Sequence, residues 1–293
     1  MALARLELSV VQRSRGRSAT AAAAYRSGTR IVDSRTGECH DYRRRAGVLT
    51  IALFGPAGAL DGEGREAVWN AAEQAERRRD AVVARELTVA LPAELPAAAR
   101  ADLARDFAAR FAREEGVVVD LAIHAPARRG DARNHHAHLL FSTRTVSIDE
   151  GRMTFGGKTR VWDHKTTGGP HLSAWRTRFE QVTNAHLMRS GSAARIDMRS
   201  LAAQGAARVP GRHDGPARTR AQRDLAAVRA RIATVGARLD GLALARRLGV
   251  DSDLLNAVLG SVRAAGSVLR HRTEPGLGGT TPDLSPNPQT LDR

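Results

Sequence analysis

The chain has 293 residues, which gives room for one sizeable domain with an appendage. Its net charge of +15 and isoelectric point near 11.4 favour a polyanionic partner, most often nucleic acid and less often an acidic membrane surface. The single cysteine, Cys39, excludes a disulfide framework and a cysteine-rich zinc site, and no apolar run reaches the ~18–20 residues of a membrane span, so we expect a cytoplasmic protein without membrane insertion.

The N-terminal elements are a strand and a short helix. Alternating apolar residues predict the strand over residues 5–12. Ser18 is suited to cap an alanine-rich helix over residues 19–27, and Gly28 stands where a glycine commonly ends a helix. Tyr25 therefore lies on the last turn of this predicted helix.

The middle of the chain alternates further strands and helices. Periodicity predicts, in chain order, a strand over 47–54, a helix over 63–80, a strand over 82–91, a helix over 95–114, strands over 117–124 and 136–143, and a helix over 171–190. The two strands before the last helix are expected to form a hairpin. The Gly- and Thr-rich residues 150–169 are expected to be irregular.

The C-terminal part changes in composition. Residues 217–270 are rich in Ala, Arg and Leu, which predicts a helical extension. Residues 271–293 are rich in Pro, Gly, Ser and Thr and nearly lack apolar residues, which predicts a disordered tail.

Three histidines stand close together in NHHAHLLFST, residues 134–143. In a strand, His136 and His138 share one face, and a hairpin partner strand ending at His124 brings a third imidazole beside them. Three neutral imidazoles with open coordination positions suit a catalytic divalent ion. The alternative is a solvent-exposed cluster without function. His135 is out of phase and is not included.

The chain has two tyrosines, Tyr25 and Tyr42. Tyr25 has small alanine neighbours and is followed by Arg26, so a nucleic-acid backbone has room to approach. A phenol there is able to attack a phosphorus atom polarised by the metal and to form a phosphotyrosine ester. A packing role for Tyr25 is the alternative.

Several phrases of the sequence resemble the N-terminal relaxase domain of the MobA/MobL family of mobilisation nucleases. The phrases are SVVQRSRGRSATAAAAYRSG, RTGECHDYRRRAGV, VWNAAEQAERRRDAVVARELTVALP, NHHAHLLFSTR and RIDMRSLAAQG. The resemblance covers residues 2 to about 216. We therefore expect a relaxase domain over residues 1–216.

The resemblance implies a fold and a reaction. The fold is α/β, of the α+β kind: an antiparallel sheet flanked by helices, as in HUH relaxases and rolling-circle initiators. Tyr25 occupies the place of the nucleophile, and His136 and His138 that of the paired-histidine motif, with His124 as third ligand. Such enzymes use a divalent ion, Mg²⁺ or Mn²⁺, nick one strand at an origin of transfer, remain bonded to the 5′ phosphate and later reseal it. Their partners are origin DNA, single-stranded at the nick, accessory relaxosome proteins and a coupling protein.

Two positions depart from the family pattern. His135 replaces the usual proline before the paired histidines, and we expect a small change at the strand entry. Met198 stands where the family commonly has histidine, so no role is assigned to it.

Other residues receive secondary roles. Glu86 is expected to orient a ligand imidazole, with a salt bridge to a nearby arginine as the alternative. Arg85 is expected to pair with a carboxylate. DNA contacts are predicted for Arg17, Arg26, Lys158, Arg160, Lys165 and Trp162, the last by stacking, with a structural role in the core as its alternative.

Competing interpretations remain at this level. A non-catalytic accessory protein on the same scaffold needs no ligands and nucleophile together. A rolling-circle replication initiator is chemically almost identical to a relaxase. Because only Lys158 and Lys165 are lysines, a codon bias toward arginine is an alternative source of the charge.

Overall fold

The structure is a computed structural model that describes residues 3–60, 64–128, 131–149, 152–207, 215–247 and 249. The chain divides into two compact units, residues 1–209 and residues 210–293. The division between a relaxase domain, a helical extension and a tail stays a prediction, and the predicted disordered tail lies outside the described residues.

The first unit contains the strands and four helices. The strands are β1 (Leu6–Gln12), β2 (Arg30–Val32), β3 (Cys39–Asp41), β4 (Val48–Gly55), β5 (Gly58–Ala59), β6 (Val82–Ala90), β7 (Val119–His124), β8 (His136–Ser142), β9 (Arg144–Asp149) and β10 (Arg152–Lys158). The helices are α1 (Ala19–Ser27), α2 (Arg65–Gln74), α3 (Ala97–Glu115) and α4 (Lys165–Arg189).

Six strands form one sheet in the order β1-β6-β8-β7-β4-β5, and each neighbouring pair is antiparallel. The pairs β2–β3 and β9–β10 form separate two-stranded ribbons. The predicted hairpin exists, because β7 and β8 pair antiparallel with Leu121 opposite Leu139. The predicted antiparallel sheet with flanking helices is confirmed.

Helices cover both faces of the sheet. On one face, Leu139 and Phe141 of β8 join a core that includes Phe107 and Phe111 of α3 and Trp175 of α4. On the other face, Leu140 packs with alanines of α1 and with Trp69 of α2. The alternation along β8 therefore sends one set of side chains to each layer, as the period of a strand requires.

Helix α1 has the predicted bounds and both predicted end signals. The Ser18 hydroxyl accepts a hydrogen bond from the backbone N–H of Ala21 at 3.1 Å. Gly28 ends the helix at φ +65°, in the left-handed region that glycine tolerates best. Helix α2 is shorter than predicted and ends at Gln74.

The prediction of irregular structure over residues 150–169 is wrong. Strand β10 pairs with β9, and α4 already begins at Lys165, before Gly168 and Pro170. Glycine commonly breaks a helix, but here it permits close packing: a Cβ added at Gly168 would lie 3.0 Å from the carbonyl oxygen of Trp162. Tertiary contact therefore overrides local propensity in this segment.

The second unit contains α5 (Gly215–Arg247). This helix falls largely within the segment predicted as a helical extension, and residue 248 and residues 250–270 of that segment lie outside the described part of the chain. Among the described helices, none is both long and apolar enough to cross a membrane.

Candidate active site

Three histidines converge at one end of the central sheet. His124 on β7 lies directly opposite His136 on β8, and His138 follows on the same face of β8. Their ring centroids are 4.7 to 5.5 Å apart. One nitrogen from each ring lies within 4.8 Å of the others, so the group is able to hold a metal ion. The structure thus brings together the three residues proposed as ligands.

Each ring is held by a protein acceptor on its other nitrogen. His124 Nε2 lies 2.7 Å from the carbonyl oxygen of Arg26, and His136 Nδ1 lies 2.9 Å from that of Asn134. His138 Nδ1 lies 2.6 Å from Glu86 Oε1. Because these oxygens only accept, the nitrogens facing them carry the hydrogen in the neutral rings. Nδ1 of His124 and Nε2 of the other two therefore keep the lone pairs a metal needs.

The surroundings keep two of these rings neutral. Burial, the neighbouring His138 and the Arg45 guanidinium lower the pKa of His124 to about 4, although its bond to Arg26 opposes them. Burial also lowers the pKa of His136. Neutral imidazole is the form that binds metal, so the donor set fits a divalent cation near pH 7.

Glu86 contacts both a histidine and an arginine. Its carboxylate is 4% exposed, accepts from His138 and forms a two-point ion pair with the Arg26 guanidinium. Burial raises the pKa of Glu86, but the bonds from His138 and Arg26 outweigh burial and lower the pKa to about 2. The expected contact with an imidazole and its alternative, a salt bridge, therefore exist together.

Tyr25 is exposed on the last turn of α1. Its side chain is 48% accessible, and its ring meets that of Tyr42 edge-on at 5.2 Å between centroids. The Arg45 guanidinium lies 3.8 Å from the centroid of the Tyr25 ring and also donates to the Tyr25 carbonyl. The residue after Tyr25 supplies the carbonyl that holds His124. The end of α1 is therefore tied to the histidine group.

Arg45 and Tyr42 were not assigned roles from the sequence. Both lie in RTGECHDYRRRAGV, one of the phrases that resemble the MobA/MobL family, so the sequence contained a signal that this segment matters. Three consecutive arginines at 43–45 gave no reason to choose one, because only the tertiary structure shows which of them contacts Tyr25.

Of the other predicted DNA-contact residues, Lys158 lies away from the histidines. Lys158 lies opposite Arg144 in the β9–β10 ribbon. Arg144 follows the end of β8 that is opposite to His136. The Lys158 ammonium is 3.0 Å from Glu76. Arg160 and Lys165 are exposed, as is Arg17. The guanidinium of Arg26 is bound to Glu86 in this structure.

Trp162 does not fit the stacking prediction. It is 7% exposed, packs beside Phe111 and Phe141, and donates from its indole nitrogen to Glu115 at 2.9 Å. This burial favours the alternative, a ring that fixes the segment to the core. Arg85 pairs with Asp163 at 2.6 Å, as expected.

The two positions that depart from the family pattern lie outside the histidine group. The carbonyl of His135 accepts from the backbone N–H of Leu91 at 2.8 Å, so its backbone joins the sheet edge at the entry of β8. Met198 packs partly buried against the main core.

Comparisons with known proteins agree on one family. The MobA/MobL family profile matches residues 17–224. The mobilization protein MobL of Acidithiobacillus ferridurans is 38% identical over 242 residues, which are 74% of this chain and 63% of that protein. The probable conjugal transfer protein TraA of Sinorhizobium fredii is 31% identical over 73% of this chain but only 21% of its own length. The chain thus spans less than two thirds of these relatives.

One solved structure is similar along most of its length. It is described as the molecular basis of vancomycin resistance transfer in Staphylococcus aureus and aligns with a TM-score of 0.56 at 31% identity. The alignment covers 67% of this chain and 98% of that chain. The similarity therefore extends over about two thirds of this chain.

Proposed function

The chain belongs to the MobA/MobL family, and we propose that it is a metal-dependent relaxase that nicks and religates one DNA strand at an origin of transfer during plasmid mobilisation. We place this activity in the cytoplasm, with accessory relaxosome proteins and a coupling protein as further partners. Origin DNA is the proposed substrate, single-stranded at the nick.

One observation carries the proposal. An exposed tyrosine lies on the last turn of α1, and the residue after it, Arg26, accepts a bond from His124 at 2.7 Å through its carbonyl. A protein that only binds DNA has no physical need for a solvent-facing phenol on a helix turn that is bonded to a group of three imidazoles. The arrangement suits attack on a phosphodiester whose oxygen contacts a metal.

In the proposed reaction, the Tyr25 oxygen forms a bond to phosphorus and the bond to the 3′ oxygen breaks. The phenol loses its proton, and the departing 3′ oxygen gains one to become a free hydroxyl. The 5′ phosphate stays on the tyrosine, and attack by a 3′ hydroxyl reverses the step. The Arg45 guanidinium lies over the Tyr25 ring, 3.8 Å from its centroid, and so helps to hold the side chain that carries the attacking oxygen.

His124, His136 and His138 would hold the ion, which when bound supplies Lewis-acid polarisation of a phosphate oxygen. Three imidazole donors suit Mn²⁺ or Zn²⁺ better than Mg²⁺, which prefers oxygen ligands. A purified sample therefore need not carry the ion that works in the cell.

Incubation with supercoiled DNA carrying the cognate origin tests the proposal. With Mn²⁺, we expect a nick with protein attached to the 5′ end, and no nick with a chelator. Tyr25→Phe should abolish nicking and keep DNA binding, whereas Tyr42→Phe, the matched control at the other tyrosine, should still nick. Nicking by Tyr25→Phe would refute the nucleophile, and specific binding without any nick by the wild type would favour an accessory protein.

A further inference from the structure

An open cavity of about 560 Å³ lies beside the N-terminal half of α1. None of the three histidines of the candidate active site lines it. Its charged lining consists of five arginines and two carboxylates, namely Arg13, Arg17, Arg35, Arg77 and Arg79 with Asp33 and Glu38. Positive charge therefore predominates in a concave surface that the proposed reaction does not yet use.

Three of these arginines have guanidinium N–H groups that no carboxylate among the described residues engages. Arg17, Arg77 and Arg79 are exposed, and none has a carboxylate within 4.0 Å in the part of the chain that the structure describes. Arg13, by contrast, is bound to Glu73 at 2.6 Å and to backbone carbonyls. The free guanidinium groups have the geometry that phosphate oxygens favour.

The two carboxylates do not neutralise these arginines. Asp33 is 1% exposed and accepts from the Thr20 hydroxyl at 2.7 Å and from backbone N–H groups. Glu38 lies 3.6 Å from Nδ1 of His40. Both acidic groups therefore have partners of their own.

His40 adds an independent observation. It lines the cavity and is 8% exposed, and its Nε2 is buried without a hydrogen-bond partner among the described residues. A buried polar nitrogen without a partner is uncommon in folded proteins. His40 therefore brings a ring nitrogen without a partner among the described residues to the wall of the cavity.

The cavity lies on the side of α1 that carries Tyr25. Ser18 and Ala21 line the cavity, and Tyr25 follows Ala21 by four residues, so these positions share one stripe of the helix. Tyr42 lines the cavity as well, and its ring touches that of Tyr25. Helix α1 is roughly 12 Å long, so the cavity lies within a few nucleotides of Tyr25 along an extended strand.

We propose that this arginine cavity binds a backbone phosphate of the DNA strand a few nucleotides from the phosphate attacked by Tyr25. The inference rests on the proposed function for the identity of the ligand. Arg17, Arg77 and Arg79 hold the phosphate, and α1 sets its distance from the nucleophile. The cavity thus provides a second binding contact that holds the DNA strand in position next to Tyr25.

The test compares two double variants of the full chain. Arg77→Gln/Arg79→Gln removes two cavity charges, and Arg113→Gln/Arg189→Gln removes two charges from exposed positions on α3 and α4 outside the cavity. The probe is a labelled single-stranded oligonucleotide of about 30 nucleotides, titrated without metal over a range of salt concentrations.

We expect the cavity variant to weaken binding by about tenfold at low salt and to reduce the slope of log K against log salt by about 0.7, the value for one phosphate contact on a single strand. The control variant should change both quantities much less. Equal changes in the two variants would overturn the proposal. A second outcome would also overturn it: the cavity variant loses binding of deoxyadenosine monophosphate but binds the oligonucleotide as the wild type does. The site would then bind a free nucleotide.

This assay is separate from nicking. If the wild type makes a Tyr25-dependent nick and the cavity substitutions leave oligonucleotide binding unaffected, the cavity proposal is rejected and the relaxase proposal stands. If the cavity variant binds more weakly but the wild type makes no nick, the cavity proposal is supported and only the relaxase proposal is rejected.

Discussion

At the scale of single residues, Glu86 links the two halves of the candidate active site. One carboxylate oxygen faces His138, and the pair of oxygens holds the guanidinium of Arg26, which adjoins Tyr25. A negative charge behind an imidazole raises its basicity as a ligand and fixes its tautomer. The same carboxylate therefore contacts the proposed metal site and the end of the helix that carries the proposed nucleophile.

We predict that Glu86→Gln lowers the affinity for Mn²⁺ about 10- to 100-fold, because the amide keeps the shape but loses the charge behind His138. Isothermal titration calorimetry measures it. Glu76→Gln is the matched control, since Glu76 is also buried and bound to two cations, Arg144 and Lys158, but does not contact the histidines. Equal affinities in both variants would mean that Glu86 serves only as an ion-pair partner.

At the scale of elements, helix α1 positions residues of the candidate active site. Its alanines are buried against the sheet and against α2, so the helix comes close enough for Arg26 to reach both Glu86 and His124. The turn after it is tightly packed: a Cβ added at Gly28 would lie 3.2 Å from Val48 Cγ2. The position of Tyr25 therefore depends on how α1 ends.

We predict that Gly28→Ala destabilises the protein by about 1–2 kcal/mol, from the left-handed backbone and the close contact, and slows nicking because the end of α1 shifts. Urea unfolding and the nicking rate give the two readouts. Gly37→Ala is the control, because Gly37 also has positive φ, +73°, but nothing lies within 4 Å of the added Cβ. If nicking slows equally in both variants, the end of α1 has no special role.

At the scale of the whole molecule, the fold keeps His124 and His136 neutral, at a cost in stability that depends on pH. The pKa of His124 is about 4 in the folded protein and about 6.5 when exposed. Between these values the unfolded chain binds the proton and the folded one does not, so this group makes stability fall as pH drops from 7 toward 5.

We predict that the metal-free wild type loses more stability between pH 7 and pH 5 than His124→Gln, by up to about 1.4 kcal/mol per pH unit. Both proteins keep Asp120, whose pKa burial raises, so the difference reports the histidine. Urea unfolding at several pH values provides the measurement. A saturating ion should further stabilise the wild type by about 2.7 kcal/mol at 100 times its Kd. Parallel pH curves for the two proteins would contradict the assigned pKa shift.

The sequence by itself determined the features that depend on local periodicity. Alternation in β7 and β8 fixed which histidines share a face, and Ser18 and Gly28 fixed the ends of α1, because these signals act over a few neighbouring residues. The tertiary structure alone decided the rest. Trp162 became buried because Phe111 and Phe141, distant in the chain, pack on it. The contact of Arg45 with Tyr25 and the arginine cavity arise where separate segments meet. Contacts between residues far apart in the chain have no periodic signature, so only the folded molecule assembles them.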